Sequence, residues 1–554
     1  MFFRTKKSGD RTYLQIAENR WEEGKVKQRV LATLGRLDKL TERGAIDSLL
    51  SSGSRFAQAF TIITAHKKGK APVISSKRIG AAMIFERLWE ESGCREVIES
   101  LVGERKFAFN VERAVFLTVL HRLFDPGSDR QADKWRDGYK VEGTDALRLH
   151  HLYRAMAWLG EERPEEEQHG IPIFLTRTTK DLIEEELFAR RRDLFTSLNL
   201  VFLDTTSLYF EGEGGDSLGQ YGKSRDHRND RKQMMVAAVI DNQGRPLCCE
   251  TYPGDIADVN TLVPVVDRLR QRFNIDRVCV VADRGMISQE TVSELEERNW
   301  YYILGVRMRN QKEVREEVLK RRGRYRAVEA KGQNAKDSSP LKVKDVEVDG
   351  RRYVVCLNED QARKDAADRE AILESLENRL SQGDKSLVGN SGYRRYLKTR
   401  GGGFEIDEDR VADEARYDGK WVLRTNTKLD ASEVALRYKE LWMVEALFRR
   451  IKSVLSTRPV FHRVDETIIG HVFCSFLSLV LMKELQARIE KKGWRIEWAD
   501  VIRDLDRLEE VVLDQDGKRF LLRTESVGVC GRVFKAAGVA LPPPVRNTSP
   551  EDHV

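Results

Sequence analysis

Two aspartates follow apolar segments that are typical of buried β-strands. Asp204 comes directly after Leu200-Val-Phe-Leu, and Asp283 comes directly after Val278-Cys-Val-Val-Ala. A carboxylate at the carboxyl end of a strand lies at the edge of an α/β sheet, where ligands bind. One such aspartate alone more often starts a turn or caps a helix. Two of them on one sheet predict a site.

A third carboxylate lies in a segment with helical periodicity. Steps of four residues place Leu441, Glu445 and Arg449 on one helix face. Tyr438 and Lys452 lie a turn or two from Glu445 on nearly the same side. Most helical glutamates are solvated, but the neighbours of Glu445 are mainly apolar, which favours a role in the site. An acid, a phenol and an ammonium group can therefore converge.

Three carboxylates without a histidine cluster or cysteine ligands suit a hard cation that is bound by oxygen atoms. The best match is Mg²⁺, for which Mn²⁺ can substitute. In the two-metal form of phosphoryl transfer, ions roughly 4 Å apart activate an attacking hydroxyl and stabilise the leaving oxygen. These residues therefore predict a reaction on phosphodiesters.

The elements that must position the aspartates fall within residues 198–306. Three strand-like segments joined by short turns are followed there by helices that alternate with strands. This order predicts an α/β mixed sheet with helices packed on it, and Asp241-Asn-Gln-Gly predicts a hairpin between its second and third strands. Residues 418–490 return to the same sheet. They include a predicted helix from Ala431 to Leu455, for which Ser432 is an available N-cap.

The rest of the chain divides into four predicted regions, which are a β-hairpin module at 1–45, a helical domain at 75–190, an insertion subdomain at 307–417, and a C-terminal helical region and tail at 491–554. The insertion is polar and basic. Its pattern predicts a strand pair that turns at Asp349-Gly350, followed by a charged helix near Asp360 to Leu380.

Composition limits the classes of protein to consider. Charged residues make up 33% of the 554 residues and hydrophobic residues 40%, which excludes a disordered or fibrous chain. The seven cysteines form no CxxC pair, so a disulfide or zinc framework is not expected and a reducing compartment is. The net charge of +7 permits a polyanionic partner without requiring one.

Two segments bear on location. The N-terminus is charged from Arg4 onward and lacks the apolar segment of a secretory signal, so we expect the protein to stay in the cell that makes it. Residues 467–482 are uncharged but are fewer than the roughly 20 that span a bilayer. We interpret this segment as a buried helix and expect no membrane partner.

The three carboxylates stand in motifs that resemble a known family. Asp204 lies in Leu-Asp-Thr-Thr-Ser, and Asp283 lies in Val-Ala-Asp-Arg-Gly-Met-Ile-Ser. Tyr438, Glu445 and Lys452 keep a spacing of Tyr, two residues, Arg, three residues, Glu, six residues, Lys. This is the pattern of transposases of the IS4 superfamily, and the chain is most similar to the IS1634 group of bacterial insertion sequences. Leu441 departs from it, because the pattern has Arg there.

Further segments that look like recurring parts of that group are Val26-Lys-Gln-Arg-Val-Leu-Ala-Thr-Leu-Gly-Arg-Leu-Asp, Asp125-Pro-Gly-Ser, Tyr252-Pro-Gly-Asp-Ile-Ala-Asp, Tyr417-Asp-Gly-Lys-Trp-Val-Leu-Arg-Thr-Asn and Arg458-Pro-Val-Phe-His-Arg. The resemblance implies an RNase H-like catalytic core in which Asp204, Asp283 and Glu445 hold two metal ions. It also implies an insertion between the second aspartate and the glutamate.

The resemblance also implies contacts with double-stranded DNA. Tyr438 and Lys452 would hold phosphates of the transposon end beside the metals, and Arg284 would assist. Arg437, Arg449 and Arg450 are close enough in sequence to replace the arginine that the family pattern has at position 441. Because two ends must be cut together, the resemblance implies a homodimer on DNA, in the bacterial cytoplasm at the nucleoid.

Three basic segments are candidates for further DNA contact, namely Lys223 to Lys232, Lys320 to Arg326 and Tyr393 to Arg400. Clustered cations attract phosphates through counterion release, and interleaved aromatic rings can stack on bases. A solvated charge run is the ordinary alternative. Their position inside or beside the predicted core favours DNA contact. We expect the N-terminal hairpin module and the helical domain at 75–190 to recognise the end sequence.

The sequence thus predicts a transposase that binds the terminal inverted repeats of its element, hydrolyses its ends and joins the 3′-hydroxyls to target DNA. One alternative is a metal-dependent nuclease without strand transfer, and another is an inactive remnant that only binds DNA. A glycosidase would use paired carboxylates but leaves Lys452 without a role. His462 and His471 are interpreted as packing or hydrogen-bonding residues.

Overall fold

The computed structural model describes residues 1–22, 25–42, 45–46, 63–64, 67, 69, 73–103, 105–168, 176–191, 200–273, 275, 278–328, 341–381, 395–400, 403–515 and 518–547. The chain folds into two compact units. The terminal unit combines Met1–Gly80 with Trp498–Val554, and the central unit is Ala81–Glu497.

The terminal unit begins with a three-stranded antiparallel sheet. Its strands are β1 (Phe2–Ser8), β2 (Arg11–Glu22) and β3 (Lys25–Arg36), and α1 (Leu37–Glu42) follows. The β2–β3 pair is the hairpin that the sequence predicts. The added strand β1 is highly charged and mostly exposed, so its pattern gives little sign of a strand.

A second sheet in the terminal unit has the order β18, β17, β16, β4. Its elements, with the two helices beside them in sequence, are β4 (Val73–Arg78), α15 (Trp498–Asp506), β16 (Glu509–Gln515), β17 (Lys518–Arg523), α16 (Cys530–Ala537) and β18 (Val545–Asn547). The region 491–554 therefore contains a hairpin as well as the predicted helices. It forms because Leu513 and Phe520 pack together and because β4, distant in sequence, pairs with β16.

The central unit begins with a helical region. Its helices are α2 (Gly80–Glu91), α3 (Cys94–Val102), α4 (Val111–Phe124), α5 (Asp129–Trp135), α6 (Leu149–Gly160) and α7 (Thr179–Arg190). The long helix α14 (Asp465–Lys491) packs against α6 and α4. It is long and apolar enough to cross a membrane, but 83% of its most apolar stretch is buried inside the protein. The predicted buried helix is confirmed.

A nine-stranded sheet dominates the rest of this unit, in the order β10, β11, β12, β15, β9, β8, β5, β6, β7. Its strands are β5 (Leu200–Tyr209), β6 (Gln233–Asp241), β7 (Pro246–Pro253), β8 (Cys279–Ala282), β9 (Tyr301–Val306), β10 (Arg326–Ala327), β11 (Leu341–Val348), β12 (Arg351–Asn358) and β15 (Lys420–Thr425). The antiparallel β5–β6–β7 meander joins β8 and β9, which run parallel to β5. This order and these directions are those of an RNase H-like core, and the predicted α/β fold class is confirmed.

The insertion at 307–417 contributes to the same sheet. Strand β12 pairs with β15, which pairs in turn with β9, so β10 to β12 extend the sheet at one edge. The predicted hairpin is confirmed, because Asp349 and Gly350 both adopt positive φ at its turn. The predicted charged helix forms as α10 (Glu359–Leu380), followed by β13 (Leu397–Arg400), β14 (Gly403–Ile406) and α11 (Glu408–Ala415).

Helices cover both faces of the five core strands. On one face, α8 (Leu262–Phe273) and α9 (Gln289–Glu297) bury the main apolar core. On the opposite face, α12 (Ala431–Lys439) contacts β8 and β9, and α13 (Trp442–Arg449) contacts β5 and β6. The predicted single helix from Ala431 is thus divided. Its N-cap is Asp430, whose carboxylate accepts a hydrogen bond from the backbone N–H of Ser432.

Candidate active site

Asp204 and Asp283 occupy equivalent places on neighbouring strands. Leu203 of β5 pairs with Ala282 of β8 in parallel register, and each aspartate is the next residue. Leu203 and Ala282 belong to the core under α8 and α9. Because side chains alternate along a strand, both aspartates face the opposite side of the sheet, where α12 and α13 lie.

The two strands end differently from the sequence prediction. β8 ends at Ala282, as expected, but β5 continues past Asp204 to Tyr209. It continues because residues 205–209 keep pairing with β6 on the other side. Asp204 is nevertheless the first residue of β5 beyond its parallel partner, so its carboxylate still lies at the edge of the parallel strands.

The Asp204 carboxylate is largely buried, with 16% of the side chain exposed. It accepts a hydrogen bond of 2.8 Å from the backbone N–H of Thr205. Burial is the main cause that raises the pKa of Asp204 to about 6, and the carboxylates of Asp283 and Asp258 act in the same direction. The Arg225 guanidinium and the Thr205 N–H oppose this shift. The ionised group is therefore held at a cost that a bound cation would offset.

Asp283 is oriented by Tyr438 of α12. The Tyr438 hydroxyl donates a hydrogen bond of 2.8 Å to Oδ1 of Asp283. Burial and the nearby Asp283 raise the pKa of Tyr438, so the hydroxyl keeps its proton. Gly305 of β9 allows this approach, because a Cβ atom there would lie 2.2 Å from the Tyr438 oxygen. The hydrogen bond places Tyr438 beside Asp283, and the predicted contact of this phenol with a DNA phosphate stays a prediction.

Asp258 is a further carboxylate beside Asp204 that the sequence analysis did not single out. It lies in a short turn before α8 and accepts a hydrogen bond of 2.8 Å from the Thr205 hydroxyl. Arg225 donates to Asp258 over 2.7 Å, and its Nη1 is 3.7 Å from Asp204 Oδ1. The sequence feature that could have identified Asp258 is the recurring segment that begins at Tyr252, because Asp258 is its last residue.

Glu445 lies on α13, whose apolar side packs against the sheet through Val444, Leu447 and Phe448. Its own side chain is exposed, and its carboxylate forms no hydrogen bond or ion pair with any described residue. The structure thus joins Asp204 and Asp283 in one cluster and leaves Glu445 on the neighbouring helix, with its carboxylate unengaged.

The chain between Tyr438 and Glu445 makes a tight turn that the predicted continuous helix did not include. The backbone N–H groups of Leu441, Met443 and Val444 donate to carbonyls three residues earlier, which is the tighter 3₁₀ pattern. Leu441 is buried there, with 7% of its surface exposed. An apolar side chain at this position fills the packing around the turn.

Lys452 lies in a π-helical turn that continues α13 (Arg450–Val454), a local geometry frequent at functional sites. Its ammonium group is 2.9 Å from Oδ1 of Asp226, and Arg458 is 3.2 Å from the other oxygen of the same carboxylate. Asp226 immediately follows Arg225, so one short segment connects Lys452 to the aspartate cluster.

The three predicted arginines are placed differently. Arg284 directly follows Asp283, is exposed, and its carbonyl accepts a hydrogen bond from Arg307. Arg449 is exposed on α13. Arg450 instead donates to Gln486 of α14 over 2.9 Å. Its half-buried guanidinium is directed to α14, and its contact with DNA stays a prediction.

The basic segments differ in how many of their cations are already paired. In Lys223–Lys232, the residues Arg225, Arg228, Arg231 and Lys232 all pair with carboxylates. In the second segment, the exposed cations Lys320, Arg321, Arg322, Arg324 and Arg326 form no ion pair with any residue in the described ranges. Residues 393–394 of the third segment lie outside the described residues, and Arg395 and Lys398 pair with glutamates.

His462 and His471 meet Asp129, and one potential ligand atom of each lies within 4.8 Å of the others. The guanidinium of Arg122 is 2.9 Å from Nδ1 of His471, and His471 Nε2 is 3.0 Å from the Thr457 carbonyl oxygen. A guanidinium at the same ring nitrogen opposes a cation there. Burial and Arg122 also lower the pKa of His471, so the ring is neutral. This network agrees with the hydrogen-bonding role expected from the sequence.

The donor set at the aspartate cluster fits a hard divalent cation. Asp204, Asp258 and Asp283 offer only carboxylate oxygens, which Mg²⁺ and Mn²⁺ prefer. The raised pKa of Asp204 agrees with this, since burial disfavours its negative charge and the carboxylates of Asp283 and Asp258 add to the effect. A cation would neutralise that charge.

Residues 196–481 match the family model of the transposase DDE domain, and residues 3–66 match the N-terminal domain of IS1634 family transposases. No protein with a curated description matches the chain. Among solved structures, the cryo-EM structure of the piggyBac transposase synaptic complex with hairpin DNA is 11% identical, with a TM-score of 0.33 over 77% of this chain and 78% of that one. The Mos1 mariner paired-end complex with Mn is 13% identical, with a TM-score of 0.15 over 45% and 77% of the two chains.

Proposed function

Because the chain belongs to the transposases with a DDE domain, in the IS1634 group, we propose that it moves its own insertion sequence. It binds the terminal inverted repeats, hydrolyses the strand at each end, and joins the freed 3′-hydroxyls to target DNA. Two copies act together on the paired ends, in the bacterial cytoplasm at the nucleoid.

The observation that carries this proposal is the side-by-side arrangement of Asp204 and Asp283 beyond paired parallel strands, with Tyr438 bonded to Asp283. Asp204, Asp283 and Glu445 are the proposed metal ligands. When bound, Mg²⁺ or Mn²⁺ supplies Lewis acidity to the attacking hydroxyl and to the leaving oxygen. Glu445 is suited to this role because its carboxylate is exposed and unengaged among the described residues.

The protein's own groups would orient the DNA. Tyr438 fixes the rotamer of Asp283 through its hydrogen bond. Lys452 and the exposed Arg284 attract the phosphates on either side of the scissile bond, since cations position a DNA backbone without reading its sequence. The exposed cations of Lys320–Arg326 extend this contact along the duplex.

The test is excision and joining of a marked DNA segment that is bounded by the sequences flanking the gene. We expect the wild type to join the segment to new DNA with Mg²⁺ and not with EDTA. Asp204→Asn should still bind the ends, while product falls by more than about 100-fold, because a metal ligand is lost. Asp230→Asn is the matched control, since Asp230 is exposed and, among the described residues, pairs with Arg228 and Arg231 alone.

Two other outcomes identify the alternatives. Ends that are cut in the presence of metal but never joined would show a nuclease without strand transfer. If wild type and Asp204→Asn both bind the ends and neither cuts them, the chain is a DNA-binding remnant.

A further inference from the structure

The segment Lys223–Lys232, which connects β5 to β6, places a carboxylate between two cations beside the active site. Asp226 Oδ1 is 2.9 Å from Lys452 Nζ, and Asp226 Oδ2 is 3.2 Å from Arg458 Nη1. Only 7% of the Asp226 side chain is exposed. Arg458 also lies over the ring of Tyr209 at 5.7 Å, so its guanidinium is held in place. Two fixed positive groups therefore share one negative group.

Arg225, which precedes Asp226, lies among the carboxylates of the active site. Arg225 donates to Asp258 over 2.7 Å and to the Thr205 hydroxyl over 2.8 Å, and it is 3.7 Å from Asp204. Consecutive residues thus present a cation to the carboxylates and an anion to the ammonium and guanidinium groups. In the proposed reaction, metal ions and a DNA phosphate must occupy these same surroundings.

We propose that Lys452 and Arg458 form a binding site for a DNA phosphate, and that the Asp226 carboxylate occupies this site until DNA displaces it. This rests on the proposed function. Lys452 and Arg458 are partly buried, with 13% and 28% of their side chains exposed, and unpaired charges there would be costly. A DNA phosphate carries the same charge as a carboxylate and accepts hydrogen bonds from ammonium and guanidinium groups, so it can replace Asp226 without leaving either cation unpaired.

Asp226 is then a competitor of DNA, and Arg458 is a DNA contact. Asp226→Asn should therefore tighten binding of a fluorescent duplex taken from the DNA flanking the gene by about tenfold, since an anionic competitor is removed. Arg458→Gln should weaken binding and should reduce the slope of log affinity against log salt concentration by about 0.9, as expected for one lost phosphate contact. Arg458→Lys should retain the slope.

Asp230→Asn is the matched control for net charge, because it removes the same charge from the same segment. Asp230 is 61% exposed and pairs with Arg228 and Arg231 instead. We expect Asp230→Asn to change affinity by less than about twofold, as for an exposed charge. Thermal unfolding of each variant, together with Asp226→Ala as a second substitution, separates loss of folding from a change in binding.

The results separate this inference from the proposed function. If the wild type shows no preference for the flanking duplex over a scrambled duplex, the proposed function fails. If the wild type binds specifically but folded Asp226→Asn and Asp226→Ala bind no more tightly than Asp230→Asn, Asp226 is a structural anchor for Lys452 and the inference is overturned. An unchanged salt slope in Arg458→Gln overturns the assignment of Arg458.

Discussion

Asp204 is the residue where charge and burial oppose each other most directly in the proposed site. Its raised pKa of about 6, caused mainly by burial, means that the folded protein holds the protonated form more readily than the unfolded chain does. For a carboxylic acid with a raised pKa, the stabilising contribution is present at low pH and is lost as pH rises through the folded-state value. Without metal, Asp204 therefore lowers the stability of the folded protein most at neutral pH and above.

The corresponding prediction concerns stability without metal. Asp204→Asn should make the EDTA-treated protein more stable than the wild type at pH 8, and the difference should narrow by about 1 kcal/mol at pH 5. Urea unfolding at the two pH values measures it. The control is Asp230→Asn, whose exposed carboxylate has its pKa lowered to about 2 by Arg228 and is ionised at both values. A difference between wild type and Asp204→Asn that does not vary with pH would contradict the assigned cause.

Asp258 and Asp226 illustrate what residue types alone do not reveal. Each lies in a polar connecting segment where aspartates are common, and neither follows an apolar strand. Each contacts a cation that is distant in sequence, which is Arg225 for Asp258 and Lys452 for Asp226. The sequence had marked both segments, one as a recurring motif and one as a basic run, without indicating which residue mattered.

At the scale of elements, the contact between β9 and α12 determines whether Tyr438 reaches Asp283. Gly305→Ala places a methyl group 2.2 Å from the Tyr438 oxygen in the present geometry, so the tyrosine or the helix must move. We expect this substitution to destabilise the protein by about 1–3 kcal/mol, as overpacking does, and to reduce strand joining by at least about tenfold. Urea unfolding and the joining assay measure the two effects.

A double-mutant cycle tests the cause. Tyr438→Phe removes the oxygen, so the stability lost in the Gly305→Ala/Tyr438→Phe protein should be smaller than the sum of the single losses. Gly138→Ala is the matched control, because a Cβ there has no neighbouring atom within 4 Å. Additive losses would show that the methyl group clashes with something other than Tyr438.

At the scale of the whole molecule, a buried ion cluster ties the helical region of the central unit to the RNase H-like core. The cluster contains Lys180, Asp181, Glu184 and Glu185 of α7, Glu250 of β7, and Arg268 and Arg272 of α8. Arg272, with 5% of its side chain exposed, contacts Asp181, Glu184 and Glu250 at 2.6–3.2 Å. Such a network fixes how α7 docks on the core, because each charge requires its partners in place.

Removal of Arg272 should therefore have a large effect on folding. We expect Arg272→Met to lower the free energy of unfolding by about 3–5 kcal/mol, since the buried carboxylates of Asp181, Glu184 and Glu250 would keep only Lys180 and Arg268 as cations. Arg298→Met, which removes a partly exposed guanidinium paired with Asp267, should cost less than about 1 kcal/mol. Equal losses in the two variants, measured by urea unfolding, would mean that the cluster is not a specific tie.

Local pattern was sufficient for much of this protein, because it reports properties that neighbouring residues share. Alternating or continuous apolar segments determined the core strands, Asp349-Gly350 determined a turn that needs positive φ, and motif spacing identified the family with its two strand-borne aspartates. The buried helix Asp465–Lys491 also followed from composition and length.

Only the tertiary structure decided features that depend on partners distant in sequence. Whether β5 ends at Asp204 or continues depended on pairing with β6, and the break after Tyr438 depended on packing of α12 and α13 over different strands. Asp204 is surrounded by residues from separate parts of the chain, since Arg225 lies between β5 and β6 and Asp258 lies between β7 and α8. Burial, charge and hydrogen bonding at a site are sums over such neighbours, and a linear pattern contains no information on which of them meet.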